Sequence, residues 1–248
     1  MSSEHPQIPP ASPGTDPSLT PITELHDPRA IQILSTEHWS VLTARSLAYN
    51  EALIRAGMFL TFLSMSFVGL ALLGQAMKFD TAFLTVAAIV LAFDFIIGLT
   101  TFARIGGANT DDLRAMHGMA RIRHGYLQAA PLLHPYFTSP VHDDLESVLA
   151  GYGAPASTTP WGSIAYGFTT SIGMVGLIVS LVGGVLAAVL TMLAGVAPDA
   201  SLWFAIPVSL IVLLVLVVMT VRVVERQQQW LSVRFPAAVP SEPEQHAR

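Results

Sequence analysis

The chain has 248 residues, 52% hydrophobic and 12% charged; soluble domains carry about 25% charged residues, so an ordinary water-soluble domain is excluded in favour of an integral membrane protein. A formal net charge of −5 with twelve Lys and Arg residues excludes the concentrated basic footprint that nucleic-acid binding needs. The absence of cysteine excludes disulfides, thiolate metal sites, thiol nucleophiles and Cys palmitoylation together.

Residues 1–27 come first and are polar and rich in Pro (PQIPPASPGTDPSLTP), a composition expected to be disordered. They lack the basic flank and apolar core of a cleavable signal peptide, so insertion falls to the first apolar helix. Asp27-Pro28 reads as a helix start, with a carboxylate to accept from orphan N–H groups and Pro at the first helical position. No strong breaker follows, which predicts a cytoplasmic helix over 28–55 running into the first span.

A bilayer core about 30 Å thick takes roughly 20 apolar residues. Four segments qualify: Ala56–Met77, Thr81–Ala103, a third within Ile164–Ala197, and Leu202–Val221. They pair as two transmembrane hairpins, 56–103 and 161–221. Residues 104–160 between them are expected to form a cytoplasmic helical segment that begins by extending the second span through TDDLRAMHGMARIRHGYLQAA, with Gly106-Gly107 as a candidate kink. Residues 222–248 form a cytoplasmic tail, Pro-rich and disordered after Phe235. Trp161, Tyr166, Trp203 and Trp230 fall near the expected interfaces, where amphipathic rings are favoured. Eleven of the twelve basic residues lie on one side of this topology and only Lys78 on the other, so the positive-inside bias places both termini and the central segment in the cytoplasm. The fold class is all-α: integral membrane, four transmembrane helices with cytoplasmic helical extensions.

Asp94 stands about halfway along the second span. A carboxylate there is costly unless protonated, paired or hydrated, and Ala87, Asp94, Gly98 and Thr101 share one small or polar stripe. The third span carries a longer stripe, Thr169, Gly173, Gly176, Ser180, Gly183 and Ala187, which lets helix backbones approach closely. Two readings compete. One is helix packing, with Asp94 satisfied by Thr or Ser hydroxyls or reaching toward Arg104. The other is a hydrated path between subunits of a homo-oligomer, with Asp94 as a cation or proton site.

On the extension of the second span, Arg114, His117, Arg121 and His124 share one face, and Met116, Met119, Ile122 and Tyr126 take the opposite one, suited to packing on the first extension. The basic stripe reads as a solvated or ion-paired face with Glu37 or Glu51 as candidate partners, as a contact for anionic lipid phosphates or a small anion, or as an interface with a cytoplasmic protein. His134, His142, Asp143 and Asp144 have no spacing of a metalloenzyme motif and read as a Pro-punctuated loop, so no metal and no cofactor is expected. There is no P-loop, no Gly-x-Ser-x-Gly elbow and no dinucleotide fingerprint. An enzyme is not expected.

The segments STEHWSVLTARSLAYNEALIRAGMFLTFLS and RIRHGYLQAAPLLHPYFTSPVHDDLESVLAGYG resemble a family of uncharacterised bacterial four-helix integral membrane proteins with no assigned activity. The resemblance implies a bacterial plasma (inner) membrane and brings no catalytic residues. The expected function is a homo-oligomeric channel or permeation protein with a cytoplasmic helical bundle. The alternative is a non-conducting membrane scaffold or accessory subunit that binds a partner through its cytoplasmic helices.

Overall fold

The computed structural model describes residues 22–151, 167, 169–230 and 232–237. They are all-helical, with helices α1 Pro28–Met77, α2 Thr81–Ala129, α3 Leu145–Ala150, α4 Ser171–Leu193 and α5 Pro198–Trp230, and a 3-10 turn over Pro131–Tyr136. Four of them, α1, α2, α4 and α5, are long and apolar enough to cross a membrane. Residues 1–21, Trp161 and Tyr166, the Trp230 side chain and the tail beyond 237 lie outside the described residues.

α1 starts where the sequence predicts. The Asp27 carboxylate accepts from the Arg29 N–H at 2.9 Å and Pro28 takes the first helical position. At 1.5 Å per residue its 50 residues extend about 75 Å, more than twice a bilayer core. α2 runs as far in the opposite direction and passes through Gly106-Gly107 without interruption. The turn between them is tight: Lys78 and Phe79 both adopt left-handed backbone (φ 51° and 56°), and both N–H groups are held at this turn by the Gly74 carbonyl. The Phe79 ring lies over Gly74, where an added Cβ would sit 2.6 Å from it.

The buried residues of α2 recur as Ala87, Leu91, Asp94, Gly98, Thr101, Ile105, Ala108 and Asp112, alternating steps of four and three. Facing them on α1 are Ala52, Ala56, Phe59, Leu63 and Gly74. This is the seven-residue spacing of two helices wrapped around each other. α4 packs into the other side of that pair, and Gly98 marks where three helices meet: a Cβ there would lie 2.7 Å from Val179 of α4 and 3.0 Å from Phe59 of α1.

α4 is shorter than the apolar run that contains it. It lies within Ile164–Ala197 as expected and begins at Ser171, where the Thr170 hydroxyl caps it by accepting from the Gly173 N–H at 3.2 Å. Thr169 therefore stands exposed ahead of the helix and outside the small-residue stripe. The far end closes with Gly195 at φ 90°; the Gly195 and Val196 N–H groups return to the carbonyls of Met192 and Thr191, the bonding pattern of a helix ended by a left-handed glycine. Pro198 then opens α5, which packs on α4 and barely touches α2.

Both hairpin turns lie at one end of the bundle. The start of α1, the end of α2, residues 131–151 and the segment 232–237 gather at the other, charged end. There Arg104 pairs with Glu51 at 2.7 Å and Arg55 pairs with it at 3.0 Å, where the apolar spans of α1 and α2 stop.

Candidate functional sites

Two places in this frame hold buried polar side chains that the fold brings together. The first is in the apolar part. Asp94 is fully buried at a core position of the α1/α2 seam, and Ser66 of α1 donates its hydroxyl to Oδ1 at 3.1 Å. Oδ2 is buried without a hydrogen-bond partner. Sequence reasoning anticipated a Ser or Thr hydroxyl here, and Arg104 is engaged by Glu51 instead. A lone polar residue at a core position of a helix pair commonly fixes its register at a cost in stability. The same row holds a second carboxylate, Asp112, which Arg45 of α1 clasps from the charged end through Nε and Nη2.

The small-residue stripe is filled from within the chain. A Cβ on Gly176 would meet Phe102 at 3.0 Å, and one on Gly183 would meet Phe95 at 2.9 Å. Ser180 is buried and donates back to the Leu177 carbonyl at 2.7 Å, Gly173 is half-buried near the cap, and Thr101 is buried on α2. Sequence reasoning missed Gly184, which makes the closest approach among the glycines of α4: a Cβ there would lie 2.8 Å from the Ala205 carbonyl oxygen and 2.9 Å from the Ser209 Cβ of α5. Its place in the Gly183-Gly184 pair was the available signal.

The second place is at the charged end, where the expected basic stripe divides. Arg114 stays exposed and pairs with Asp111 one turn back at 3.3 Å. His117 is buried, and Arg121 and His124 are half-buried beneath the chain's own later segments. The partners are not Glu37 or Glu51. Arg121 Nε donates to Asp143 at 2.7 Å, and its Nη2 donates to the Ser232 carbonyl.

Asp143 is the hub. Its carboxylate accepts from the Arg234 N–H at 2.9 Å and the Phe235 N–H at 2.7 Å, while its own N–H donates to the Phe235 carbonyl at 3.2 Å. Asp144 caps α3 through the Ser147 N–H at 2.9 Å and accepts the Ala237 N–H at 3.0 Å. The Phe235 ring stacks on His124 with centroids 4.2 Å apart. Residues 232–237 thus form a strap pinned across α2. The loop that looked merely punctuated by Pro is its anchor, and no group of three metal-ligating side chains occurs among the described residues.

Burial opposes the charge on Asp143, but the Arg234 and Phe235 amides and the Arg121 guanidinium together outweigh it and hold the carboxyl below its usual range. Asp144 is lowered in the same way by its backbone donors despite its burial. His117 shifts down because burial and the nearby Arg121 disfavour its cation more than Asp143 favours it. The His117 Nδ1 to Asp143 contact of 3.8 Å is therefore a neutral contact at pH 7 and not an ion pair.

No protein-family model, curated protein or solved structure matches the chain.

Proposed function

We propose that the protein is a four-pass plasma-membrane protein with both termini in the cytoplasm, acting as a non-conducting assembly unit that offers its cytoplasmic helices to a second helix, from a partner protein or another copy. One observation carries this reading. On the part of α1 outside the apolar span, Ile33, Ser40, Leu47 and Ile54 follow one another at seven-residue steps, and all are exposed. Trp39 is exposed beside them. Thr36, Thr43 and Asn50 fill the intermediate positions and are exposed too, giving the spacing of an unpaired helix-pairing seam. The opposite side of α1 is committed to α2. The small residues that a pore between subunits would use are occupied by Phe95, Phe102, Val179 and Phe59 of the same chain, which supports packing over conduction. The eleven-to-one division of basic residues supports the orientation.

A permeation protein is the second reading, favoured by the unpartnered Oδ2 of Asp94, since ionisable groups in a span often mark ion or proton paths. Ion flux in proteoliposomes separates the two, with wild type, Asp94→Asn and empty vesicles in parallel. The assembly reading expects no flux above empty vesicles from either protein. Wild-type flux that Asp94→Asn abolishes or reselects would replace it with permeation.

A further inference from the structure

A long cleft of about 810 Å³ separates α2 from α5, with α4 as its floor at Ile172. Its walls run from Phe95 to Leu113 on α2 and from Ile211 to Gln227 on α5. At 1.5 Å per residue these stretches are about 27 Å and 24 Å long. The space is thus a slot, within the roughly 300–1,000 Å³ range of small-molecule sites but far more elongated than most. Its polarity is sorted along its length. The half nearer the bundle centre is lined by apolar side chains such as Phe95, Leu99 and Val212; the polar groups, Asn109, Thr110, Thr220 and Gln227, all stand at the charged end.

That polar end holds one unpaired acceptor. Gln227 is 7% exposed, and its Oε1 has no hydrogen-bond partner. The Thr110 and Thr220 hydroxyls donate to the Gly106 and Leu216 carbonyls of their own helices, so toward the slot they offer oxygen lone pairs. A head group that pairs the Gln227 Oε1 brings an N–H or O–H donor. Arg222 and Arg226 are exposed on the same two turns of α5, where a phosphate next to such a head group meets cationic donors.

We propose that the slot is a phospholipid site, holding one acyl chain between α2 and α5 and an ammonium-bearing head group at Gln227. Length, sorted polarity and the unpaired Gln227 acceptor beside two arginines are the features that an aminophospholipid fits. The site rests on the membrane insertion proposed above. Its apolar half lies level with the inner half of the spans and its polar half level with the head groups.

The test uses full-length protein in vesicles of phosphatidylethanolamine and phosphatidylglycerol. A trace of either lipid carries a photoactivatable diazirine in its tail, and adducts are mapped by mass spectrometry. Wild type should show adducts on Leu99–Gly107 and Val212–Met219 in excess over the outer face of α1 at Met58 and Met65, more strongly with the ethanolamine probe. Gly107→Leu should remove the excess, since a Cβ at Gly107 meets nothing within 4 Å and the side chain enters free space. Gln227→Leu should lower the ethanolamine preference about five-fold, the worth of one hydrogen bond, and keeps the test decisive if Gly107→Leu misfolds. Adducts spread evenly over all apolar faces, or an excess indifferent to both substitutions, would leave only surrounding bulk lipid and overturn the site. Val215→Cys in this cysteine-free chain giving a disulfide-linked dimer at the slot would overturn it in favour of a second copy. Protein that takes no adduct anywhere is not inserted, a failure of the membrane reading that takes the site with it.

Discussion

Asp143→Ala removes the anchor of the strap while leaving the helices that carry it in place. The wild-type carboxylate is buried and accepts three strong hydrogen bonds, from Arg121 Nε at 2.7 Å, Arg234 N at 2.9 Å and Phe235 N at 2.7 Å. Hydrogen bonds to a charged group are worth about 1.5–3 kcal/mol each, so three give an upper sum of about 4.5–9 kcal/mol. Two corrections reduce it. The Arg234 and Phe235 amides regain water once the strap lifts, and Arg121, one-third exposed, is partly screened and regains water in place of its bonds to Asp143 and to the strap's Ser232 carbonyl. What remains is about 3 kcal/mol, the lower end of the cost of breaking a buried ion pair by removing one partner. Hydrogen exchange at the Arg234 and Phe235 amides reads this locally: 3 kcal/mol corresponds to about a hundredfold faster exchange, with amides in the α1/α2 seam unchanged. Protection at those two amides equal to wild type would refute the strap's dependence on Asp143.

Further outcomes follow from the same geometry. Acidification should loosen the charged end in two steps. Below the ordinary His value of about 6.5, the unfolded state binds the proton that buried His117 resists, so stability falls with pH down to its lowered folded value. Below the ordinary Asp value of about 3.9, Asp143 adds a second loss that completes at its own lowered folded value; His117→Gln should shrink the first step, to which His38, lowered by burial and Arg123, also contributes, and spare the second. Gly184→Ala should cost about 1–3 kcal/mol of overpacking because the Ala205 carbonyl and Ser209 Cβ cannot move aside. Gly107→Ala, with open space around it, should stabilise by about 0.5–1 kcal/mol from helix propensity; equal effects in thermal unfolding would contradict the α4/α5 contact. Glu51→Gln should leave the unfolding temperature unchanged, since its pairs with Arg104 and Arg55 are exposed and screened.

The spans and the two hairpins could be read from the sequence because length, apolarity and the Asp27-Pro28 start are local signals. The seam on α2 could be read in part: Ala87, Asp94, Gly98 and Thr101 stand out as a small or polar stripe, and all four are buried in it. Its apolar members could not, because a helix apolar all round has no polar face against which a buried row stands out, so Leu91, Ile105 and Ala108 emerge only once α1 is beside them. Thr169 was placed on the stripe because nothing in the apolar composition marks the start of α4, which is decided by the Thr170 cap. The partners of Arg121 and His124 were missed for a different reason. Asp143 and Phe235 lie 22 and 111 residues away, and helical spacing carries no information about contacts that loops bring back. Asp94 was the exception: an isolated carboxylate in an apolar run is conspicuous whatever surrounds it.

The account rests on a bundle inserted with its charged end inside and offering the exposed α1 row for assembly, and the cysteine-free chain allows one direct measurement of that insertion. Single cysteines at Asp199, in the first turn of α5, and at Leu132, 88% exposed at the charged end, are treated with a membrane-impermeant maleimide in intact cells and again after lysis. The account predicts that Asp199→Cys labels in intact cells and Leu132→Cys only after lysis. Labelling of Leu132→Cys in intact cells would contradict it, because the helices proposed to meet a partner would then face outward.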